Sequence, residues 1–124
     1  MSHPLAKRIR SFHVAFRGIA MMLRSEFNAR IHALATIVVL IAGVVFDIDR
    51  YEWLAVVLAI TAVWSAEAVN TSIEALCDVV TREPHPGIGR AKDLAAGAVL
   101  LTALGAVAIA AIVFGRRLLA LIPS

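Results

Sequence analysis

Over residues 5–23, Phe12, Ala15, Phe16, Ile19, Met22 and Leu23 recur at spacings of three and four. Arg10, Arg17 and Arg24 recur every seven residues on another face. That division predicts an amphipathic helix lying on a membrane surface. The first apolar run is Ala33 to Phe46, with Thr36 inside it. The run is short for a crossing, which needs about 20 residues, so the helix is expected to extend back through His32 to Glu26, giving about 26–46. The acidic segment Asp47–Glu52 ends it. A second long helix, about 51–80, is free of charge from Trp53 to Ala66 and then carries Glu67, Glu74 and Asp78. Pro84, Pro86, Gly87 and Gly89 punctuate a loop expected over Thr81–Arg90. A third helix, about 90–115, has no charge from Leu94 to Gly115.

The pattern predicts one all-α integral membrane domain over 1–124, with three membrane helices and a surface helix. Composition strengthens it. Hydrophobic residues are 60% of the 124, charged residues 17%, and mean hydropathy is +0.85. Soluble domains hold nearer 45–50% and about 25%, and so short a chain could not hide this much apolar surface from water. Small residues in the third helix (Ala95, Ala96, Gly97, Gly105, Ala106, Ala110) suit close helix approach, and oligomerisation is expected.

Charge sets the expected orientation. The net charge is +3 and the pI about 9.8, with Lys7, Arg8, Arg10, Arg17, Arg24 and Arg30 crowding the N-terminal flank. No aromatic run interleaves them, so anionic lipid is a better partner than nucleic acid. The 47–52 loop is net negative, and the 81–93 loop carries Arg82, Arg90 and Lys92. Positive loops stay inside, so the N-terminus and second loop are expected in the cytoplasm. Arg116 and Arg117, after the third span, run against that placement. Cys77 is the only cysteine, which excludes an internal disulfide and a Cys/His zinc pattern. The N-terminal segment, broken by Arg17 and Arg24, does not read as a secretory signal, so the membrane segments are expected to be permanent.

The candidate chemistry lies on the second helix. Relative to Glu67, at about 100° per residue, Glu74 falls near −20°, Asp78 near +20°, Thr71 near +40° and Asn70 near −60°. Acidic groups on a membrane helix are costly and usually face an interior or an aqueous cavity. The stripe fits a metal–nucleotide or acid–base site. It also fits a solvated helix extension, structural pairing with Arg24, Arg30, Arg90 or Lys92, or a proton relay. Glu26 and Arg30, at i and i+4, suit a surface ion pair. Glu26 could instead join Glu74 around Mg²⁺, which takes one or two carboxylates plus phosphate oxygens and water. Lys92 could meet a phosphate as a point charge, or simply snorkel beside a capping Asp93. There is no P-loop; Gly87-Ile88-Gly89 is too short.

Glu67-Ala68-Val69-Asn70-Thr71-Ser72-Ile73-Glu74-Ala75-Leu76-Cys77-Asp78 resembles the signature of the small prokaryotic diacylglycerol kinase family. Ala91-Lys92-Asp93 with Ala95–Leu100 resembles its second block, and Glu26-x-Asn28-x-Arg30-Ile31-His32 its first. The blocks keep the family's order and cover nearly the whole chain. The resemblance implies a homotrimer in the bacterial plasma membrane that transfers the γ-phosphoryl of ATP to a lipid hydroxyl. It implies Glu67 as general base, and Glu26 and Glu74 as ligands of Mg²⁺ and nucleotide. It further implies Asn70 as a site-ordering residue, and Glu83, His85, Lys92, Asp93, Lys7 and Arg10 as nucleotide contacts. Val14 stands where some members carry Tyr. The family divides into diacylglycerol and undecaprenol kinases. Asn28, Ile31-His32, His85-Pro86 and Ser11-Phe12-x-x-Ala15-x-x-Gly18 resemble the undecaprenol branch. The rival class is a small transporter or assembly protein, against which the charge-free middles of the spans argue.

Overall fold

A computed structural model describes residues 3–124; the first two residues of the expected 1–124 domain lie outside it. The described chain folds as four helices: α1 (Pro4–Ser25), α2 (Phe27–Val45), α3 (Arg50–Val80) and α4 (Pro86–Leu119). The last three are long and apolar enough to cross a membrane. Their outward faces are large apolar side chains, Leu34, Ile41, Leu58, Leu101 and Ile112 among them, as a bilayer solvent demands. The chain is a multi-pass membrane protein.

α2 does not run back through Glu26. That residue is extended (φ −110°, ψ 119°) and breaks the chain between α1 and α2. Arg30 fastens the break: Nε donates to the Leu23 carbonyl at 3.0 Å and Nη2 to that of Arg24. Both are end carbonyls of α1, which no turn of helix follows to satisfy. Met22 and Ala29 bury themselves on either side of the bend. The expected Glu26–Arg30 surface pair is therefore replaced by a cap, and the Glu26 carboxylate is left without an ion-pair partner among the described residues.

At its other end α2 stops because Asp47 adopts φ 49°, a left-handed conformation that Asp tolerates better than most residues. Ile48 N–H then reaches the Gly43 carbonyl and Asp47 N–H that of Val44, closing the helix end. Asp49 starts α3 with a capping box: it accepts from Glu52 N–H at 2.9 Å, and Glu52 accepts from Asp49 N–H at 3.2 Å. A buried cluster of Ile48, Val56, Val113 and Phe114 closes this end of the bundle.

α4 begins earlier than the glycines and prolines suggest. Residues 81–85 are loop, but Pro86–Arg90, expected as loop, is already helix. Pro86 sits at the first helical position, where its missing N–H costs nothing. His85 is the N-cap, its Nδ1 accepting from Gly87 N–H at 3.0 Å. The helix also runs past Gly115 to Leu119.

α3 and α4 form the main antiparallel pair, pinned by an ion pair at each end. Arg117 grips Glu52 with two bonds, 2.6 and 2.8 Å. Lys92 Nζ meets Asp78 Oδ1 at 3.1 Å. Glu52 and Asp78 are about 39 Å apart along α3 at 1.5 Å per residue. The hydrocarbon core is about 30 Å thick, so the stretch between the two pairs is long enough to cross it.

Candidate active site

The site is built around Glu67, the largest fully buried side chain, at 1% exposure. α3 carries it on the face turned toward α2, as the common stripe with Asn70 and Glu74 requires. Neither carboxylate oxygen has a hydrogen-bond partner among the described residues. His32 of α2 stands beside it, with Nε2 3.6 Å from Oε2. His32, Glu26 and Glu74 are the ionisable groups that bear on it. A buried carboxylate with free lone pairs is costly in apolar surroundings unless it meets a proton, a cation or a donor. Such an atom is suited to receiving a proton.

Asn70, at 7% exposure, is one turn away, its Oδ1 also unpartnered. It borders a groove between α3 and α4 with Ile73, Ala91, Ala95 and Ala98. Glu74 is partly buried and lies about 10 Å along α3 from Glu67. Among the described residues no group of three or more His, Cys, Asp or Glu side chains converges on one point. Two carboxylates, Glu26 and Glu74, bear on Glu67, and neither has an ion-pair partner among the described residues. This hard-oxygen donor set fits a magnesium ion whose remaining positions are filled by phosphate and water.

One turn beyond Glu74, Asp78 and Lys92 open a second feature. With Thr81, Arg82, Glu83, His85 and Gly89 they line an open groove of about 780 Å³. Gly87 lets the His85 ring close over the helix start, since a β-carbon there would meet the ring at 3.1 Å. Glu83, His85 and Lys92 are thus brought together. Lys92 is not free: it pairs with Asp78, as the structural-pairing alternative expected for that end of the stripe. Asp93 points elsewhere, into a shallow groove with Arg90 and Gly97. Lys7 and Arg10 stand exposed on α1, and no ion pair joins them to the carboxylates among the described residues.

The pattern of single helices did not reveal His32 as the partner of Glu67, nor the Arg117–Glu52 pair. Both link residues far apart in sequence. The histidine did stand in the quoted Ile31-His32 motif, on the expected helix, and its ring was the available signal.

Comparison with known proteins gives a consistent picture. Residues 13–114 match a family described as prokaryotic diacylglycerol kinase. The chain is 38% identical over 114 residues to an undecaprenol kinase of Bacillus subtilis, covering 92% of this chain and 93% of that protein. It is 31% identical over 98 residues to a diacylglycerol kinase of Synechocystis sp., covering 78% and 56%. With a diacylglycerol kinase of Escherichia coli strain K12 it shares 26% over 99 residues, covering 80% and 81%. The transporter alternative falls with these matches. With the quoted motifs falling on the elements just described, the chain belongs to the prokaryotic diacylglycerol kinase family and is a membrane lipid kinase.

Proposed function

We propose that this single-domain chain is an ATP-dependent undecaprenol kinase of the bacterial plasma membrane, working as a homotrimer with its N-terminus and 81–85 loop in the cytoplasm. The observation that carries the chemistry is Glu67, buried in a membrane helix with both oxygens unclaimed. The near-full-length relative named undecaprenol kinase supports the acceptor.

The reaction follows from where the groups lie. The lipid stays in the bilayer, and only its terminal hydroxyl needs to reach Glu67. As the hydroxyl oxygen bonds to the γ-phosphorus of ATP, its proton passes to the Glu67 carboxylate. The bond from that phosphorus to the bridging oxygen breaks, and ADP leaves. Such transfer is mostly positioning and charge stabilisation. Glu26 and Glu74 would hold Mg²⁺, which supplies neutralising charge to the phosphates. Asn70, one turn from Glu67, is the site-ordering residue. Glu83, His85 and Lys92 in the open groove, with Asp93, Lys7 and Arg10, contact the nucleotide. One chain leaves these in separate patches around the end of α3, and assembly of three chains brings them to one nucleotide.

The test is phosphate transfer from labelled ATP to undecaprenol and to diacylglycerol, side by side in detergent micelles. Higher kcat/KM for undecaprenol is expected. The reverse order would assign the chain to diacylglycerol, and no transfer to either would remove the kinase reading.

A further inference from the structure

We propose that His32 is a positioning residue for the transfer, orienting the Glu67 carboxylate toward the lipid hydroxyl. This rests on Glu67 being the base. The imidazole stands beside Glu67, Nε2 to Oε2 3.6 Å, and its side chain is 18% exposed. That spacing is just beyond hydrogen-bond range, and catalytic contacts of this kind tighten when substrate arrives. Glu67 otherwise has two buried oxygens with no hydrogen bond to fix which of them faces a substrate. A donor on one oxygen selects one orientation and leaves the other oxygen free to take a proton.

Two features hold His32 where this requires. The first is a hydrogen-bond relay one turn away. Trp64 Nε1 of α3 donates to Thr36 Oγ1 at 2.9 Å, and Thr36 donates onward to the His32 carbonyl at 2.7 Å. The relay ends on the residue it positions, and it sets α2 against α3 in the register that puts His32 beside Glu67. The second is an apolar crevice of about 230 Å³ between α2, α3 and α4. His32 is the one ionisable residue lining it, with Thr36, Val63, Ala103 and Ala106 around. The ring therefore has a largely apolar side, and its Nε2 stands toward the Glu67 carboxylate. Glu26 and Glu74 also bear on Glu67, but a carboxylate cannot donate a hydrogen bond; Asn70 and Thr71 lie on α3 itself, one turn on, whereas His32 reaches Glu67 from the facing helix.

Four versions of the full-length protein decide the matter: wild type, His32→Phe, Glu67→Gln and the double variant. His32→Phe keeps a ring of similar size for the crevice but has no donor. Its kcat should fall about tenfold or more, with KM for ATP and for lipid within about twofold. His32→Gln, whose amide can donate, should recover most of that loss. In the Glu67→Gln background His32→Phe should cost nothing further, because a residue acting through Glu67 has nothing left to orient. An equal additional loss in that background would overturn the proposal, as would unchanged kcat in His32→Phe. A raised lipid KM at constant kcat would make His32 a lipid contact instead. Thermal midpoints measured alongside identify a merely unfolded variant, and the His32→Gln cycle then decides in place of His32→Phe. If Glu67→Gln itself keeps its rate, the base assignment fails. If Glu67→Gln is impaired and His32→Phe is not, only the role of His32 fails.

Discussion

Glu67→Gln preserves size and hydrogen-bonding reach but cannot take a proton. Loss of a general base typically costs about 10²–10⁴-fold in rate, so kcat should fall by that much while nucleotide affinity stays near wild type. A variant keeping more than about a tenth of the wild-type kcat would exclude Glu67 as the base. Glu26→Gln and Glu74→Gln should each raise the Mg²⁺ concentration needed for half-maximal rate, with the oligomer intact by size-exclusion chromatography. Unchanged Mg²⁺ titrations in both would take them out of the metal site. The stripe of Glu67, Asn70 and Glu74 was legible from helical spacing alone, because one helix presents i, i+3 and i+7 on one face. The groups opposite it were not. Nothing in the spacing of α3 says that His32 faces Glu67, or that Arg30 turns from Glu26 to the carbonyls of α1. Those outcomes depend on how two helices meet.

At the scale of elements, the membrane helices were visible as apolar runs, and their ends as polar residues. The ends were still misplaced where local backbone chemistry decides them. Pro86 and Gly87 look like loop residues, but a proline at the first position of a helix and a histidine N-cap make them its start. Glu26 looks like part of α2, but the Arg30 cap makes it the hinge before it. Packing between elements was less legible still. Gly43 of α2 sits against the Trp53 ring of α3, and a β-carbon there would come within 2.5 Å of it. Gly43→Ala should therefore push α2 and α3 apart, at a cost of about 1–3 kcal/mol. A lowered thermal midpoint in detergent is expected; an unchanged one would mean that Trp53 moves aside freely.

For the molecule as a whole, the outline of three crossings plus a surface helix followed from hydropathy, since the bilayer leaves so few alternatives. Orientation is testable by cysteine accessibility in intact cells after Cys77 is replaced. A cysteine at position 49 should label from outside and one at position 82 only after permeabilisation; labelling of position 49 solely from the cytoplasmic side would reverse the topology. The arginines after the third span were the one discordant sign in the sequence, and half of that discord has a physical answer. Arg117 is not a bare charge, because its guanidinium donates twice to Glu52 and once to the Val113 carbonyl. This pair bears on how the chain is made. Glu52 precedes Arg117 in the chain, so in the proposed orientation it reaches the far side first. An acidic group already there would turn a costly crossing into the closing of a bond, and would help decide which way the final helix points. Glu52→Gln should then leave a larger fraction of newly made chains with the C-terminus on the cytoplasmic side, as read by a C-terminal topology reporter. Charge reversal at both positions, Glu52→Arg with Arg117→Glu, should restore a single orientation.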